Sequence, residues 1–387
     1  MKTLRQKKII IIGPAYPYRG GNSLFVTKTY EVLQNIFDVK IFNYKLLYPS
    51  ILFPGTTQFD KSEQQVFKVP NERLINSVSP FNWFKVCKRI KKENPDLIIF
   101  DWWHPFFGFC HGTISFLLKK KFGDRMLFIT ENVVSHEANK IDKFLTGVGL
   151  GNASMFMTLS EKVVNELKGF SKGKKVYRSE LPIYNCYESN NSYTTSKLKN
   201  VLGIKEDMHV LLFFGYVRKY KGLDILLEAF PKILETHPNT YLLVVGEFYD
   251  NPDQYKNILT KHKIVDKVKI INDFVPNEEV YKYYQVSEVV ILPYRSATQS
   301  GILNIAYGFN KPVIVTDVGG LAEFVLDGKT GIIIKPNSPQ EIVDGYSRFV
   351  ILQSNVDFIH NIIEHNTKNS FNNLPKVIRE IIEEIQE

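Results

Sequence analysis

The chain has 387 residues, which is the length of about two domains. Its hydrophobic content of 44% and its ordinary glycine and proline usage exclude global disorder. No stretch approaches the roughly 18 consecutive apolar residues of a membrane-spanning helix. Residues 1–185 carry a formal net charge of +13 while the whole chain carries +9, so we expect the first half to face an anionic partner.

The first apolar run, Ile9–Ile12, ends at a Gly-Pro pair. It is too short for the core of a signal peptide and is typical of a first buried strand. The three cysteines, Cys87, Cys110 and Cys186, have no metal-ligand spacing and suit a reducing compartment. We therefore predict a cytoplasmic protein without a structural zinc site.

Strands and helices alternate through the first half. The predicted strands are Ile9–Ile12, Val39–Phe42, Leu97–Phe100, Leu127–Thr130 and Ser154–Leu159. The predicted helices are Ser23–Leu33, Asn82–Lys92, His111–Lys120, Lys140–Leu150 and Glu161–Leu167. Lys45–Asn76 breaks this rhythm and is predicted to be irregular. Repeated βα units with apolar strands indicate a parallel sheet covered on both faces, here a Rossmann-like domain over residues 1–184.

One of these helices combines apolar and basic side chains. Phe81, Phe84 and Cys87 recur at helical spacing. They lie among five basic residues: Lys85, Lys88, Arg89, Lys91 and Lys92. The pattern suits a helix at an anionic membrane surface, and it equally suits a crossover helix packed on the sheet. No nucleic-acid-reading motif accompanies the charge, so no nucleic-acid partner is expected.

A polar segment, residues 184–196, predicts a linker. The alternation then restarts, and residues 197–369 form a second Rossmann-like domain. Its predicted strands are Val210–Phe214, Tyr241–Val245, Val268–Ile271, Val289–Leu292, Val313–Val315 and Gly331–Ile334. Its predicted helices are Leu223–Leu234, Asp253–His262, Asn277–Tyr284 and Gly301–Phe309. Residues 370–387 are predicted to form a helix packing back on the first domain. The expected fold is α/β, with two doubly wound domains facing across a cleft.

Two loops of the second domain carry chemistry. Between Leu292 and Ile302, a strand leads through small residues into a helix whose first N–H groups, at Ser300 and Gly301, suit an anion such as phosphate. Earlier, Phe214–Gly222 leaves the domain's first strand, and its Arg218 and Lys221 can place two cations on one pyrophosphate. A structural Gly-Gly turn after the first of these units and a solvated basic loop in the second are the alternatives.

With these residues the chain resembles a retaining glycosyltransferase of family 4, which has the GT-B fold, in a bacterial polysaccharide-type branch. The motifs that carry the resemblance are Gly13–Gly21, Phe214–Gly222, Val244–Glu247, Phe274–Pro276, Leu292–Arg295, Lys311–Gly320, Glu323 and Asp327–Gly331. The resemblance implies that Arg218 and Lys221 neutralise the leaving diphosphate without a metal. It implies donor contacts by Gly20, Gly21, Gly215, Val275, Ser300, Gly301 and Ile302.

The chain departs from the family pattern in two places. Two family glutamates are replaced by Ala297 and Ile305, so Thr298, Gln299 and Asn304 are the candidates for replacement hydrogen bonds to the donor. In the loop after the strand ending at Thr130, Glu131 replaces a family histidine while His136 remains. The resemblance places this loop near the acceptor, where Glu131 or His136 could orient or deprotonate a hydroxyl.

Further acceptor contacts are predicted after the strand that ends at Phe100. Trp102 and Trp103 could stack on a sugar, although core packing equally explains the aromatic residues, and His104 and Arg19 are the other acceptor-binding candidates. The leading hypothesis is a transferase using a UDP- or GDP-linked sugar and a lipid-linked or saccharide acceptor. It would act in cell-surface polysaccharide or glycolipid synthesis, peripherally on the inner membrane face. A scaffold protein that retains the fold and a nucleotide-sugar 2-epimerase are the alternatives.

Overall fold

A computed structural model describes residues 6–53, 55, 57–63, 68–133, 140–187 and 193–387 of the protein. The chain divides into two compact units. The first comprises Met1–Asp60, Phe67–Pro182 and Ser370–Glu387, and the second comprises Lys61–Val66 and Ile183–Asn369. Residues near the end of the sequence thus belong to the same unit as residues near its start.

The first unit is built on a parallel sheet covered by helices. Its strands are β1 (Lys8–Ile12), β2 (Asp38–Leu46), β3 (Asn71–Asn76), β4 (Leu97–Trp102), β5 (Met126–Thr130), β6 (Met155–Thr158) and β7 (Val176–Arg178). Its helices are α1 (Gly21–Leu33), α2 (Pro80–Glu93), α3 (Gly108–Phe122), α4 (Lys140–Leu150), α5 (Glu161–Ser171) and the C-terminal helix (Leu374–Gln386). The strand order is β3-β2-β1-β4-β5-β6-β7, which is doubly wound about β1.

Apolar strands fit this sheet because both of its faces are buried. Ile10 and Ile12 point into a core that also holds residues of α2 and α3. Ile9 and Ile11 point to the opposite face, where they share a core with residues of α1 and the C-terminal helix. A continuous isoleucine run is therefore buried on both sides, as parallel sheets require.

The C-terminal helix supplies part of that second core. Leu374, Ile378, Ile381 and Ile382 are buried along one side of it, at the spacing of an amphipathic helix. Glu384, on its exposed side, pairs with Lys175 at 2.6 Å. The helix thus packs on the sheet of the first unit.

The second unit repeats the doubly wound plan. Its strands are β8 (His209–Phe214), β9 (Thr240–Val245), β10 (Val268–Ile271), β11 (Val289–Leu292), β12 (Val313–Thr316) and β13 (Gly331–Ile334). Its helices are α6 (Thr195–Val201), α7 (Leu223–Thr236), α8 (Asp253–Lys261), α9 (Asn277–Val286), α10 (Gly301–Gly308), α11 (Pro339–Leu352) and α12 (Phe358–Thr367). The order β10-β9-β8-β11-β12-β13 is that of a Rossmann sheet, so the predicted α/β class with two such sheets is confirmed.

Several elements were not predicted. β3 lies inside the segment expected to be irregular, because it is an edge strand with register shifts and few buried side chains. The short β7, the short α6, and helices α11 and α12 were also missed. The sequence does contain a start signal for α11, because Ser338 caps the helix and Pro339 occupies its first position.

The apolar face of α2 also differs from the prediction. Trp83, Val86, Cys87 and Ile90 are buried, whereas Phe81 is 83% exposed and its neighbour on the helix surface, Phe84, is also exposed. The packed and exposed faces predicted as alternatives therefore coexist on one helix. Within the described part of the chain, no helix is long and apolar enough to cross a membrane.

Candidate active site

The carboxyl end of β8 meets its neighbouring loops at unusually close range. Gly215 has a positive φ of 98°, and the next strand's Gly246 approaches so closely that a Cβ there would lie 2.2 Å from the Gly215 carbonyl oxygen. A short 3₁₀ turn, Lys219–Lys221, follows and ends at Gly222. Gly222 has φ 72°, and a Cβ there would lie 2.0 Å from the Pro293 carbonyl oxygen. The glycines thus allow three loops to converge.

Lys221 is the cation at the centre of this convergence. Its side chain is only 6% exposed, and its Nζ lies 3.1 Å from where a Cβ on Gly215 would stand. It also lies over the Tyr294 ring, 5.5 Å from the ring centroid. Burial, with a smaller effect of the positive Arg218, lowers the pKa of Lys221 to about 7. Arg218 is exposed, and its guanidinium carbon Cζ lies over the Tyr249 ring, 4.8 Å from the ring centroid.

The turn that carries Lys221 is braced by Arg295. The Arg295 guanidinium donates two hydrogen bonds to Asp224, at 2.8 and 2.7 Å, and a third to the Lys219 carbonyl at 2.6 Å. Its backbone N–H donates to the Tyr220 carbonyl at 2.6 Å. Sequence reasoning missed this brace because Asp224, in the first turn of α7, has the pattern of an ordinary helix-start acid.

The loop between β11 and α10 places the other predicted donor contacts. Ser300 is the N-cap of α10, with its hydroxyl 3.4 Å from that of Tyr294, and Gly301 is the first residue of the helix. The Ile302 Cδ1 atom lies 3.0 Å from a Cβ built on Gly215, so this helix start reaches the end of β8. Gly215, Lys221 and Ile302 are therefore brought together within the second unit.

The remaining predicted donor contacts lie in α10, in the loop before it and in the loop before α9. Thr298 and Asn304 are buried, Gln299 is half-buried, and Val275 is half-buried in the loop between β10 and α9. The positions of the two family glutamates, Ala297 and Ile305, are buried. Small and apolar side chains thus occupy those two positions, without a carboxylate at either.

In the first unit, the predicted donor loop leads into α1. Gly20 has φ 102°, and both Gly20 and Gly21 are exposed, with open space where a Cβ would be. Arg19 is half-buried, and its backbone N–H donates to the Gln58 carbonyl at 3.1 Å. Glycine is required at position 20 by its backbone angle rather than by crowding.

Glu131 lies directly after β5 and points toward the same helix. The Asn22 side-chain amide donates to its Oε1 at 2.8 Å, and Glu131 is only 7% exposed. Sequence reasoning missed Asn22, which lies 109 residues earlier in the chain. His136, the second predicted acceptor-side residue, lies outside the described residues.

The aromatic residues after β4 are mostly packed inside. Trp102 is fully buried, and a Cβ on Gly149 would lie 2.2 Å from its ring. Trp103 is buried and donates its indole N–H to the Tyr48 hydroxyl at 3.0 Å. This burial favours core packing over sugar stacking for both. His104 is exposed, and its Nδ1 accepts from the Phe106 N–H at 3.1 Å, as the cap of a 3₁₀ turn.

Comparison with known sequences finds a family similarity in the second unit. Residues 194–368 match the model of the family described as glycosyl transferases group 1. The chain is 28% identical over 170 residues to lipopolysaccharide 1,2-N-acetylglucosaminetransferase of Salmonella typhimurium, covering 42% of this chain and 45% of that protein. It is 24% identical over 349 residues to an uncharacterised glycosyltransferase of Methanocaldococcus jannaschii, covering 87% and 86%. The match thus spans less than half the length of the Salmonella relative.

Solved structures extend the likeness to the whole chain. Sucrose-phosphate synthase from Thermosynechococcus elongatus has a TM-score of 0.74 at 16% identity, covering 98% of this chain and 99% of that one. Anabaena HepE, solved in complex with UDP, has a TM-score of 0.73 at 16% identity, covering 98% and 100%. The chain therefore has the GT-B fold, and its second unit, over residues 194–368, is similar to the glycosyl transferases group 1 family.

Proposed function

We propose that this protein is a glycosyltransferase that moves a sugar from a nucleotide diphosphate donor to an acceptor with retention of the anomeric configuration. The observation that carries the proposal is the buried Lys221 at the glycine-lined end of β8, with Arg218 on the same turn. A lysine that the fold buries beside converging backbones is arranged for an anion rather than for solvent. The match of residues 194–368 to the glycosyl transferases group 1 model supports the same reaction class.

The two cations act on the leaving group. When the bond between the sugar C1 and the diphosphate oxygen breaks, negative charge develops on that oxygen. Lys221 and Arg218 would stabilise this charge, and they would do so strongly because Lys221 is removed from water. The Arg295 brace keeps the turn in place before the substrate arrives, so little reorganisation is required. We propose that this pair makes the transfer independent of a metal ion.

The donor base is proposed from the relatives. HepE of Anabaena is known in complex with UDP-glucose, so a UDP-linked sugar is the first donor to test and a GDP-linked sugar is the second. In this chain Ala297 and Ile305 stand where family members have glutamates. Three polar side chains would provide the donor contacts instead: Thr298 and Gln299 in the loop before α10, and Asn304 within α10.

We expect UDP-glucose to bind more tightly at pH 6.5 than at pH 8.5. The pKa of Lys221 is lowered to about 7 in the unbound protein, so this side chain is mostly neutral at pH 8.5. A bound diphosphate favours the ammonium form, so binding takes up a proton and Kd rises up to about tenfold per pH unit above 7. Isothermal titration calorimetry measures this, and the diphosphate diester of UDP-glucose does not itself titrate in the range.

Lys221→Met is the matched control for this titration. The variant should bind UDP-glucose more weakly, with a Kd that changes little between the two pH values. An equal pH dependence in wild type and variant would contradict the role given to Lys221. A thermal-shift screen with UDP, GDP, ADP, TDP and their sugar conjugates tests the donor class, because a ligand that binds the folded state raises the melting temperature.

A scaffold without catalysis is the second candidate, and the missing glutamates are the observation that favours it. Ala297 and Ile305 are buried, so these positions are filled by packed side chains rather than left open for a ligand. Binding without turnover distinguishes the candidates. Release of UDP from UDP-glucose, or sugar transfer to an acceptor, would exclude the scaffold. UDP binding with neither reaction across a panel of acceptors would favour it.

A lipid-linked or saccharide acceptor at a membrane is proposed from the relatives and from the surface of the first unit. One relative, 33% identical over 152 residues, is an alpha-monoglucosyldiacylglycerol synthase of Acholeplasma laidlawii. Exposed aromatic and aliphatic side chains occur on three neighbouring helices: Phe81 and Phe84 on α2, Phe109 and Phe116 on α3, and Ile141 and Phe144 on α4. Exposed lysines share these helices: Lys85, Lys88, Lys91, Lys92, Lys119, Lys120, Lys121, Lys140 and Lys143.

We call these side chains the aromatic–basic face and propose that it holds the protein on the inner, anionic side of the cytoplasmic membrane. Arg89 is not counted, because it pairs with Glu72 at 2.9 Å and also with Glu93. Exposed rings enter the headgroup region while lysines contact anionic lipids. This arrangement would bring a lipid-linked acceptor to the first unit.

Changing Lys88, Lys91 and Lys92 together to glutamine is expected to weaken binding to phosphatidylglycerol-containing vesicles about 100-fold. Each lysine near an anionic surface contributes about 1 kcal/mol. Vesicle sedimentation measures the loss. The matched control changes three exposed lysines of the second unit, Lys197, Lys205 and Lys263, to glutamine. Unchanged binding in the first variant, or an equal loss in the control, would show that α2 only packs on the sheet.

A further inference from the structure

Two carboxyl groups lie buried together at the carboxyl edge of the first unit's sheet. Asp101 is in β4, and Glu131 follows β5. Asp101 pairs in register with Ile129, so Glu131, two residues further on, lies on the same face of the sheet. The Glu131 N–H donates to the Trp102 carbonyl at 2.9 Å, which continues the pairing to that point. Asp101 is 1% exposed.

The surroundings of the pair come from β1 and α1. Gly13, just after β1, makes space for Asp101: a Cβ there would lie 3.0 Å from the Asp101 Cβ and 2.7 Å from Val26 of α1. Asn22, in the first turn of α1, donates to Glu131 at 2.8 Å. Both carboxyl oxygens of Asp101 are buried, and neither has a hydrogen-bond partner in the described part of the chain. The Glu131 carboxyl group is close enough for its charge to act on Asp101.

Such a pair retains a proton. Burial raises the pKa of both carboxyl groups, and the charge of Glu131 raises that of Asp101 further. The observed hydrogen bond from Asn22 and the neighbouring Asp101 carboxyl group both lower the pKa of Glu131, which favours Glu131 as the ionised member and Asp101 as the protonated one. Burial raises the pKa of Tyr44, on β2, well above its ordinary value and keeps it neutral, and the Asp101 charge acts in the same direction. Tyr44 hydrogen-bonds to His111 of α3, and burial lowers the pKa of His111 to about 3.

We propose that Asp101 is a positioning residue that donates a hydrogen bond from its protonated carboxyl group to Glu131 and holds Glu131 as an oriented carboxylate toward the acceptor hydroxyl. This rests on the proposed transferase function, in which Glu131 contacts the acceptor. Asn22 fixes the carboxylate from the other side, so the three residues form one buried unit.

The retained proton has a further use. Gly20 and Gly21, at the start of α1, are predicted to approach the donor diphosphate. If both carboxyl groups were ionised, two negative charges would lie near that helix start and repel the ligand. A single charge, held by a neutral donor on one side and an amide on the other, halves this repulsion. Asp101 thus acts on Glu131 both by orienting it and by remaining neutral.

The first arm of the test detects the proton on Asp101 through the pH dependence of the free energy of unfolding. Asp101→Asn keeps a donor of the same shape that does not ionise. In the wild type, the raised pKa of Asp101 gives stability that is fully present below the unfolded pKa near 4 and lost as pH rises through the folded pKa. We therefore expect urea unfolding between pH 4.5 and 8.5 to show that the free energy of unfolding of Asp101→Asn increases relative to that of the wild type as pH rises. If the free energies of unfolding of the two proteins change in parallel with pH, the proposed proton on Asp101 is overturned.

The second arm measures UDP release from UDP-glucose, with water as the acceptor, against pH. Asp101→Asn should keep kcat within about threefold of wild type and leave the acidic limb of the profile unmoved. Asp101→Ala removes the hydrogen bond that favours ionised Glu131, so kcat should fall at least tenfold and the acidic limb should move to higher pH. Equal loss in both variants, or an unmoved limb in the alanine variant, would overturn positioning.

The two arms separate the failure of this proposal from the failure of the transferase proposal. A wild-type protein that neither hydrolyses UDP-glucose nor transfers its sugar would overturn the acceptor role, while the stability curves would still decide the shared proton. If Asp101→Ala does not fold, Glu131→Gln replaces it. The glutamine variant should lose the acidic limb altogether, and a retained limb would overturn the role of Glu131 that Asp101 is proposed to support.

Discussion

Replacing Lys221 with methionine is expected to lower the rate of sugar transfer or donor hydrolysis about 10³-fold without lowering the melting temperature. The rate falls because the leaving diphosphate loses a buried cation that solvent does not replace. Stability is preserved because burial already disfavours the ammonium form, as its lowered pKa of about 7 indicates. Initial rates at saturating UDP-glucose, with a thermal melt of each protein, measure both effects.

Lys219→Met is the matched control for this change. Lys219 lies on the same 3₁₀ turn but is exposed, so its removal should leave the rate within about threefold of wild type. A double change of Arg218 and Lys221 with undiminished turnover would refute the mechanism. A Lys221→Met protein that has lost its fold would instead show that the lysine is needed for packing.

Gly222→Ala is expected to destabilise the second unit by more than 3 kcal/mol and to abolish activity. The left-handed backbone at φ 72° costs an alanine about 1 kcal/mol. The larger effect is steric, since the new Cβ would lie 2.0 Å from the Pro293 carbonyl oxygen, and backbone must move to relieve it. That movement displaces the turn carrying Lys221. Urea unfolding followed by circular dichroism measures the change.

Gly328→Ala separates the cost of the left-handed backbone from the cost of the steric clash. Gly328 has the same φ of 72°, but a Cβ there meets only side-chain atoms, 3.4 Å from the Arg348 Nη2 and 3.9 Å from Leu352. We therefore expect a loss of about 1 kcal/mol and normal activity. Equal losses in the two variants would mean that backbone strain alone accounts for Gly222 and that the loops tolerate separation.

The fold class could be predicted because its signal is local. The four isoleucines of β1 are buried on both sides of the sheet, and such runs are recognisable without knowledge of their neighbours. β3 lacks this signal because its residues lie at a sheet edge, where burial is incomplete. Helix α2 shows the limit of periodicity, since apolar spacing alone does not tell which of its two apolar stripes packs on the sheet.

The site was only partly predictable because its contacts connect distant residues. The Arg295–Asp224 pair joins residues 71 apart, and Asn22 meets Glu131 across 109 residues. Lys221 was identified as a cation from its motif, but its burial follows from the convergence of three loops. Asp101 was not singled out in the sequence, and its proximity to Glu131 follows only from the register of β4 and β5.

The position of the C-terminal helix has a consequence for biosynthesis. Leu374, Ile378, Ile381 and Ile382 complete a core that begins with Ile9 and Ile11, yet the ribosome makes them after the entire second unit. The first unit therefore starts translation first, but the part of its core that the C-terminal helix covers stays exposed to chaperones until the end of synthesis. A fragment spanning residues 1–182 would keep that part of the core exposed, so the first unit is best produced with residues 370–387 attached.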